Sequence, residues 1–163
     1  ISKNPSRSFH LDVTTTRPIA LCNDQFAVCS NDHLFEKGVF AKTLVDEIPQ
    51  YQVDSRKLAS FDIKAFRQFA LTAPREIADL YRITWHDAQK IYLQDKEHPA
   101  VTLVANQSMM TNMPSIQVAY STVRSSLVER LQTTPEKKRN KLAWLVDGRF
   151  KNQMVVIPKR VMA

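Results

Sequence analysis

Two glycines, Gly38 and Gly148, serve a chain of 163 residues. Glycine takes positive φ at little steric cost, and tight hairpins and phosphate-cradling loops draw on it heavily. A chain this poor in glycine has no Gly-rich phosphate loop, which argues against a conventional ATPase. It is also ill suited to a turn-dense all-β architecture, so helix is expected to be well represented. The length suits one ordinary domain or two very small ones. Hydrophobic residues at 44% and charged residues at 24% are the proportions of a globular protein, not a disordered or fibrous one.

No stretch approaches the roughly 18 consecutive apolar residues of a membrane span. Ile1 to Arg17 has no apolar core of the kind a secretory signal needs. Two cysteines, Cys22 and Cys29, are too few for a disulfide scaffold. Cytoplasm is therefore the expected compartment, and no membrane partner is expected.

Charge is distributed unevenly. Residues 1–123 carry thirteen Lys/Arg and thirteen Asp/Glu. Residues 124–163 carry ten bases, Arg124, Arg130, Lys137, Lys138, Arg139, Lys141, Arg149, Lys151, Lys159 and Arg160, against Glu129, Glu136 and Asp147. The last forty residues thus hold the whole net charge of +7. A basic surface gathered at one end is what a binder of phosphate backbones presents.

Patterning along the chain suggests the elements. Phe9, Leu11 and Val13 alternate with polar residues, and Thr14 to Thr16 continue a β-branched run. Ile19–Cys22 and Phe26–Cys29 flank Asn23-Asp24-Gln25 as a hairpin. Asn31-Asp32 can cap a short helix from His33, and Val39 to Ile48 is helical in period. Ser60 or Asp62 can cap a helix whose apolar face is Ile63, Phe66, Phe69 and Ala70. Arg75 to Tyr92 also reads as helical, Ala100 to Ala105 as a strand or helix start, and Val118 to Leu131 as the clearest helix, with Val123, Leu127 and Leu131 four apart. A charged linker, Thr133 to Asn140, precedes two strands, Leu142–Val146 and Met154–Ile157, around Asp147-Gly148-Arg149.

The segment Ser108 to Leu131 followed by the basic hairpin Lys141–Lys159 resembles a winged helix-turn-helix module over about sixty residues. Tyr120-Ser121-Thr122-Val123-Arg124-Ser125-Ser126-Leu127 is similar to its recognition helix, and the hairpin stands where the wing would be. The resemblance implies double-stranded DNA as the partner and a dimer on paired half-sites. Tyr120, Ser121, Arg124, Ser125 and Val128 would then face outward. Arg124 would read guanine, with Ser121, Thr122 and Ser125 on base or phosphate. Arg149 and Lys151 would meet the backbone at the wing, and Lys137, Lys138, Arg139 and Lys141 would neutralise phosphates without reading sequence. Pro74 to Tyr92 also looks like a plain helix-turn-helix, with Ala78 at the helix contact, Arg82 and Ile83 in the turn, and Thr84 as cap. Trp85, His86, Gln89 and Lys90 would be its outer face, although a core helical hairpin accounts for the same pattern.

Other constellations are weaker. Cys22, Cys29, His33 and His10 match no compact zinc spacing, and the acids Asp46-Glu47, Asp54 and Asp62 have no spacing that marks a metal-dependent nuclease. The expected molecule is thus an α+β protein. It has a β-rich partner segment over 1–60 and a helical region over 61–163, which ends in a winged helix-turn-helix with a β-hairpin wing. It would be a homodimer or part of a larger nucleoprotein assembly, a transcription regulator or replication or partition factor that reads a specific DNA site. It is not expected to be an enzyme or to need a cofactor. Two alternatives stay open: a structural or assembly protein that binds RNA or DNA without sequence preference, and a metal-dependent nucleic-acid enzyme.

Overall fold

The computed structural model describes residues 15–54, 61–139, 142–150 and 153–160. Among the described residues nine strands join in one sheet in the order β3-β2-β1-β4-β5-β6-β7-β8-β9. They are β1 (Pro18–Cys22), β2 (Phe26–Cys29), β3 (Leu34–Glu36), β4 (Gln50–Val53), β5 (Tyr81–Asp87), β6 (Lys90–Asp95), β7 (Val101–Ala105), β8 (Leu142–Asp147) and β9 (Val155–Arg160). The pairs β1/β4, β4/β5 and β7/β8 are parallel, and the other pairs are antiparallel. The helices are α1 (Lys42–Asp46), α2 (Ile63–Thr72), α3 (Arg75–Leu80), α4 (Gln107–Met110), α5 (Met113–Thr133) and α6 (Glu136–Arg139).

This sheet overturns the expected fold. The C-terminal half is not a helical region ending in a winged helix-turn-helix. Its one long helix, α5 with 21 residues, is the crossover that parallel pairing of β7 and β8 requires. The expected wing is the β8–β9 pair at the sheet edge, continuous with seven further strands. The helix expected over 75–92 ends at Leu80, and the hairpin β5–β6 follows. In place of a helix at His33 the chain forms β3, and only a 3-10 turn and the five residues of α1 are helical between Val39 and Ile48. The alternating run at 9–14 lies outside the described residues.

Glycine scarcity did not bar β structure, because Asn and Asp do the turning. Asn23 and Asp24 in the β1–β2 turn have φ of 52° and 56°, and Asp32 has 62°. These side chains tolerate the left-handed region better than other non-glycine residues. The Asn23 carboxamide oxygen also accepts the Val53 N–H at 2.8 Å, which ties the turn to the end of β4. At the β5–β6 turn the Asp87 carboxylate accepts the Gln89 N–H at 2.9 Å.

Helices α2 to α5 pack on one face of the sheet. Asp62 caps α2 through the Ala65 N–H at 2.9 Å, and Phe66 and Phe69 of α2 lie among Tyr51 and Trp85. Phe69 and Trp85 have ring centroids 5.1 Å apart. Helix α5 lays Met113, Tyr120, Leu127 and Leu131 on Val101, Leu103 and Val146. On the opposite face a smaller cluster joins Leu21 and Ala27 of β1 and β2 to Val45 of α1.

The free edge at β9 is blunted. Trp144 N–H donates to Ala100 O and Gly148 N–H to Val104 O, so alternate residues of β8 turn their backbone groups toward β9. Their register partners Val155, Ile157 and Lys159 therefore face inward, and Pro158 faces outward. A proline there withholds a donor that would otherwise template a further strand.

Candidate nucleic-acid interface

The outer side of α5 is not arranged as a reading surface. Tyr120 points inward with 1% exposure, its ring 6.2 Å from that of Tyr81. At about 100° per residue it stands only about 20° from Leu127, so it belongs to the buried stripe. Burial raises the Tyr120 phenol well above its ordinary range.

Arg124 is engaged within the chain. Its Nε donates to the buried Asp95 carboxylate, and its terminal nitrogen lies 2.8 Å from Glu97. Asp95 also accepts the Glu97 and His98 N–H groups at 2.9 and 2.8 Å. Burial alone would raise the Asp95 carboxyl, but the Arg124 hydrogen bond and these two N–H groups hold it below the usual carboxylate range. Ser121, Thr122 and Ser125 are exposed on α5, and the hydroxyls of Ser121 and Ser125 bond back to the Val118 and Ser121 carbonyls at 2.7 and 2.9 Å. With its guanidinium turned to two carboxylates, Arg124 has no free fork for a guanine.

The C-terminal bases are divided: Arg149 lies by one end of the β8–β9 pair, and Arg139 and Lys159 both line a cleft at the other. Arg149 grips Asp147 through two hydrogen bonds of 2.9 and 2.6 Å and donates to Gln89 O at 3.2 Å. The Arg149 hydrogen bonds in turn lower the Asp147 carboxyl. Lys159 stands beside Ala143 at the other end of the β8–β9 pair. Arg139 donates to Gln132 O and Thr134 O at 3.0 and 3.2 Å, taking up carbonyls at the C-terminal end of α5. Lys138 is exposed on α6, and for Lys137 only the backbone position on that helix is described. Lys141 and Lys151 lie outside the described residues.

A different surface is available. On the face of β4–β9 turned away from α2–α5, the register aligns Gln52, Thr84, Tyr92, Val104, Asp147 and Val155 in one row across the sheet. Arg82, Gln94, Thr102, Leu145 and Ile157 form the next row. Lys90 lies on the same face with its Nζ 5.5 Å from the Tyr92 ring centroid. Arg82 and Lys159 are exposed, and Lys90, Gln94 and Thr102 are half-buried. Sequence reasoning named Arg82 in a turn and Lys90 on a helix face, and having put residues 75–92 in a helix it did not bring them together with Gln94 and Thr102. The available signal was the strict alternation of Tyr81, Ile83, Trp85 and of Ile91, Leu93, Asp95.

Where the lower ends of β6–β9 meet the C-terminal end of α5, a cleft of about 870 Å³ opens. Thr102, Ala143, Leu145 and Lys159 bring the outer face of the sheet into it, while Trp144 and Leu131 bring the edge of the core. The Trp144 indole Nε1–H is buried with no acceptor. An orphaned buried donor of this kind costs about 1–3 kcal/mol.

Among the described residues no three His, Cys, Asp or Glu side chains gather in a geometry that could hold a metal ion. Cys22 and Cys29 are buried free thiols, and burial pushes the Cys22 thiol up to about 12. No described helix is long and apolar enough to cross a membrane. Comparison with protein-family models and with curated proteins finds no match to this chain.

Proposed function

We propose that this chain binds nucleic acid across the open face of β4–β9 and its basic lower end. It does so without reading base sequence, as a structural or assembly component of a nucleoprotein complex. The observation that carries this is the polar face itself. Arg82, Lys90 and Lys159 stand among Gln52, Thr84, Gln94 and Thr102 on strands whose packing helices, among the described residues, lie on the other side. The chain's excess charge of +7 adds a long-range attraction for phosphate.

Geometry favours backbone contact over groove reading. A sheet several strands wide does not enter a major groove about 12 Å across, whereas it can lie along a sugar-phosphate chain. Cations and side-chain N–H and O–H donors supply affinity and position but little discrimination between sequences. Arg124, the residue suited to guanine, is held by Asp95 and Glu97.

The test is a salt-titrated binding assay with oligonucleotides of equal length and unrelated sequence, both single- and double-stranded. Affinities should agree within a few-fold between sequences and fall steeply with added salt. Selective capture of one duplex sequence, or no binding at low salt, would contradict the proposal.

A further inference from the structure

The cleft at the lower end of the sheet does not resemble a mere extension of a phosphate-binding surface. A phosphate track needs cations and donors but no apolar walls. This cleft, of about 870 Å³, has them in Val128, Leu131 and Leu145. It also has a flat aromatic side chain, the half-buried Trp144. Thr102 and His98 place further polar groups on the lining, and Lys159 and Arg139 stand on it as cations. Pockets of roughly 300–1,000 Å³ with apolar walls and a few convergent polar groups take small organic ligands rather than bare ions.

We propose that the cleft takes one unstacked nucleobase of a bound single strand, with Lys159 beside its phosphate. The inference rests on the nucleic-acid reading above and adds a substrate class to it. A planar heterocycle matches apolar walls and the exposed part of a half-buried indole. Tyr92 is the aromatic ring on the outer face and has the Lys90 ammonium over it, whereas Trp144, on the helix-covered side of β8, lines the cleft. A base inside a duplex is paired and stacked and does not reach such a cleft, so single strands are preferred to duplexes.

The full chain is titrated with a (dT)12 strand and with a twelve-unit abasic strand of the same charge. The thymine strand should bind on the order of tenfold more tightly. Equal affinity would overturn the base-binding inference while leaving the backbone reading intact, and binding of neither strand would overturn both. Ala143→Phe, which fills the cleft, should remove the gap between the two strands, and a persisting gap in the folded variant counts against the cleft. Thymidine 5′-monophosphate added to the unaltered chain should shift the Trp144 indole N–H and the Thr102 and Ala143 amide resonances. Shifts confined to other residues, or none, would place the base elsewhere.

Discussion

The hairpin β5–β6 presents two unlike surfaces from the same dozen residues. Its inner face, Tyr81, Ile83, Trp85, Ile91, Leu93 and Asp95, is buried under α2 and α5. Its outer face, Arg82, Thr84, Lys90, Tyr92 and Gln94, is polar and faces away from every described helix packed on that part of the sheet. Since side chains alternate along a strand, one run of sequence writes both surfaces. The inner one fixes the fold, and the outer one is free of that duty. A surface relieved of packing yet rich in cations and amides is where binding chemistry has room to sit.

This contrast can be broken from either side. Trp85→Ala should have the largest effect, about 3–5 kcal/mol of stability, because it empties the aromatic cluster with Tyr51, Phe66 and Phe69. Denaturant unfolding measures it, and a loss near zero would mean that the inner face is not the core.

Arg124→Leu should cost about 2–3 kcal/mol near neutral pH, since it leaves the Asp95 carboxylate buried without its main partner. The sign of its pH dependence follows from Asp95, whose folded carboxyl titrates below its ordinary value. The stability it contributes is present above pH about 4 and is lost as pH falls through the folded value. The gap between the two proteins should therefore narrow as pH falls below about 4. A gap that stayed constant over that fall would show that the ion pair is not its source.

Lys159→Ala and Lys90→Ala sit on the outer face and should leave stability within about 0.5 kcal/mol. Each should weaken oligonucleotide binding alike for all sequences and reduce the log–log salt slope by about one. Unchanged binding in both would remove the outer face from consideration.

Part of this was legible in the sequence. The β1–β2 hairpin around Asn23-Asp24, the Asp62-capped helix with Phe66 and Phe69, and the helix through Leu127 carry local signals that their surroundings reinforce. The hairpin at 81–95 was hidden because its turn, Ala88-Gln89, has neither Gly nor Asn, and because Ile77, Leu80, Tyr81, Ala88, Ile91 and Tyr92 mimic a helical period. The parallel pairing of β7 with β8 joins residues about forty apart and leaves no local trace.

The site was harder to read. Excess charge is visible in a sequence, but the partners that consume it are not. Asp95 and Glu97 lie 29 and 27 residues from Arg124, and nothing near Arg124 announces them. Arg149 was closer to legible, because Asp147 lies two residues before it.

The most direct test maps contact by amide chemical shifts while (dT)12 is added at low salt. The account predicts shifts at Arg82, Thr84, Lys90, Gln94, Thr102 and Lys159, on the outer face of β5–β9. Shifts confined to Ser121, Thr122 and Ser125 on α5, with the strands unmoved, would contradict it.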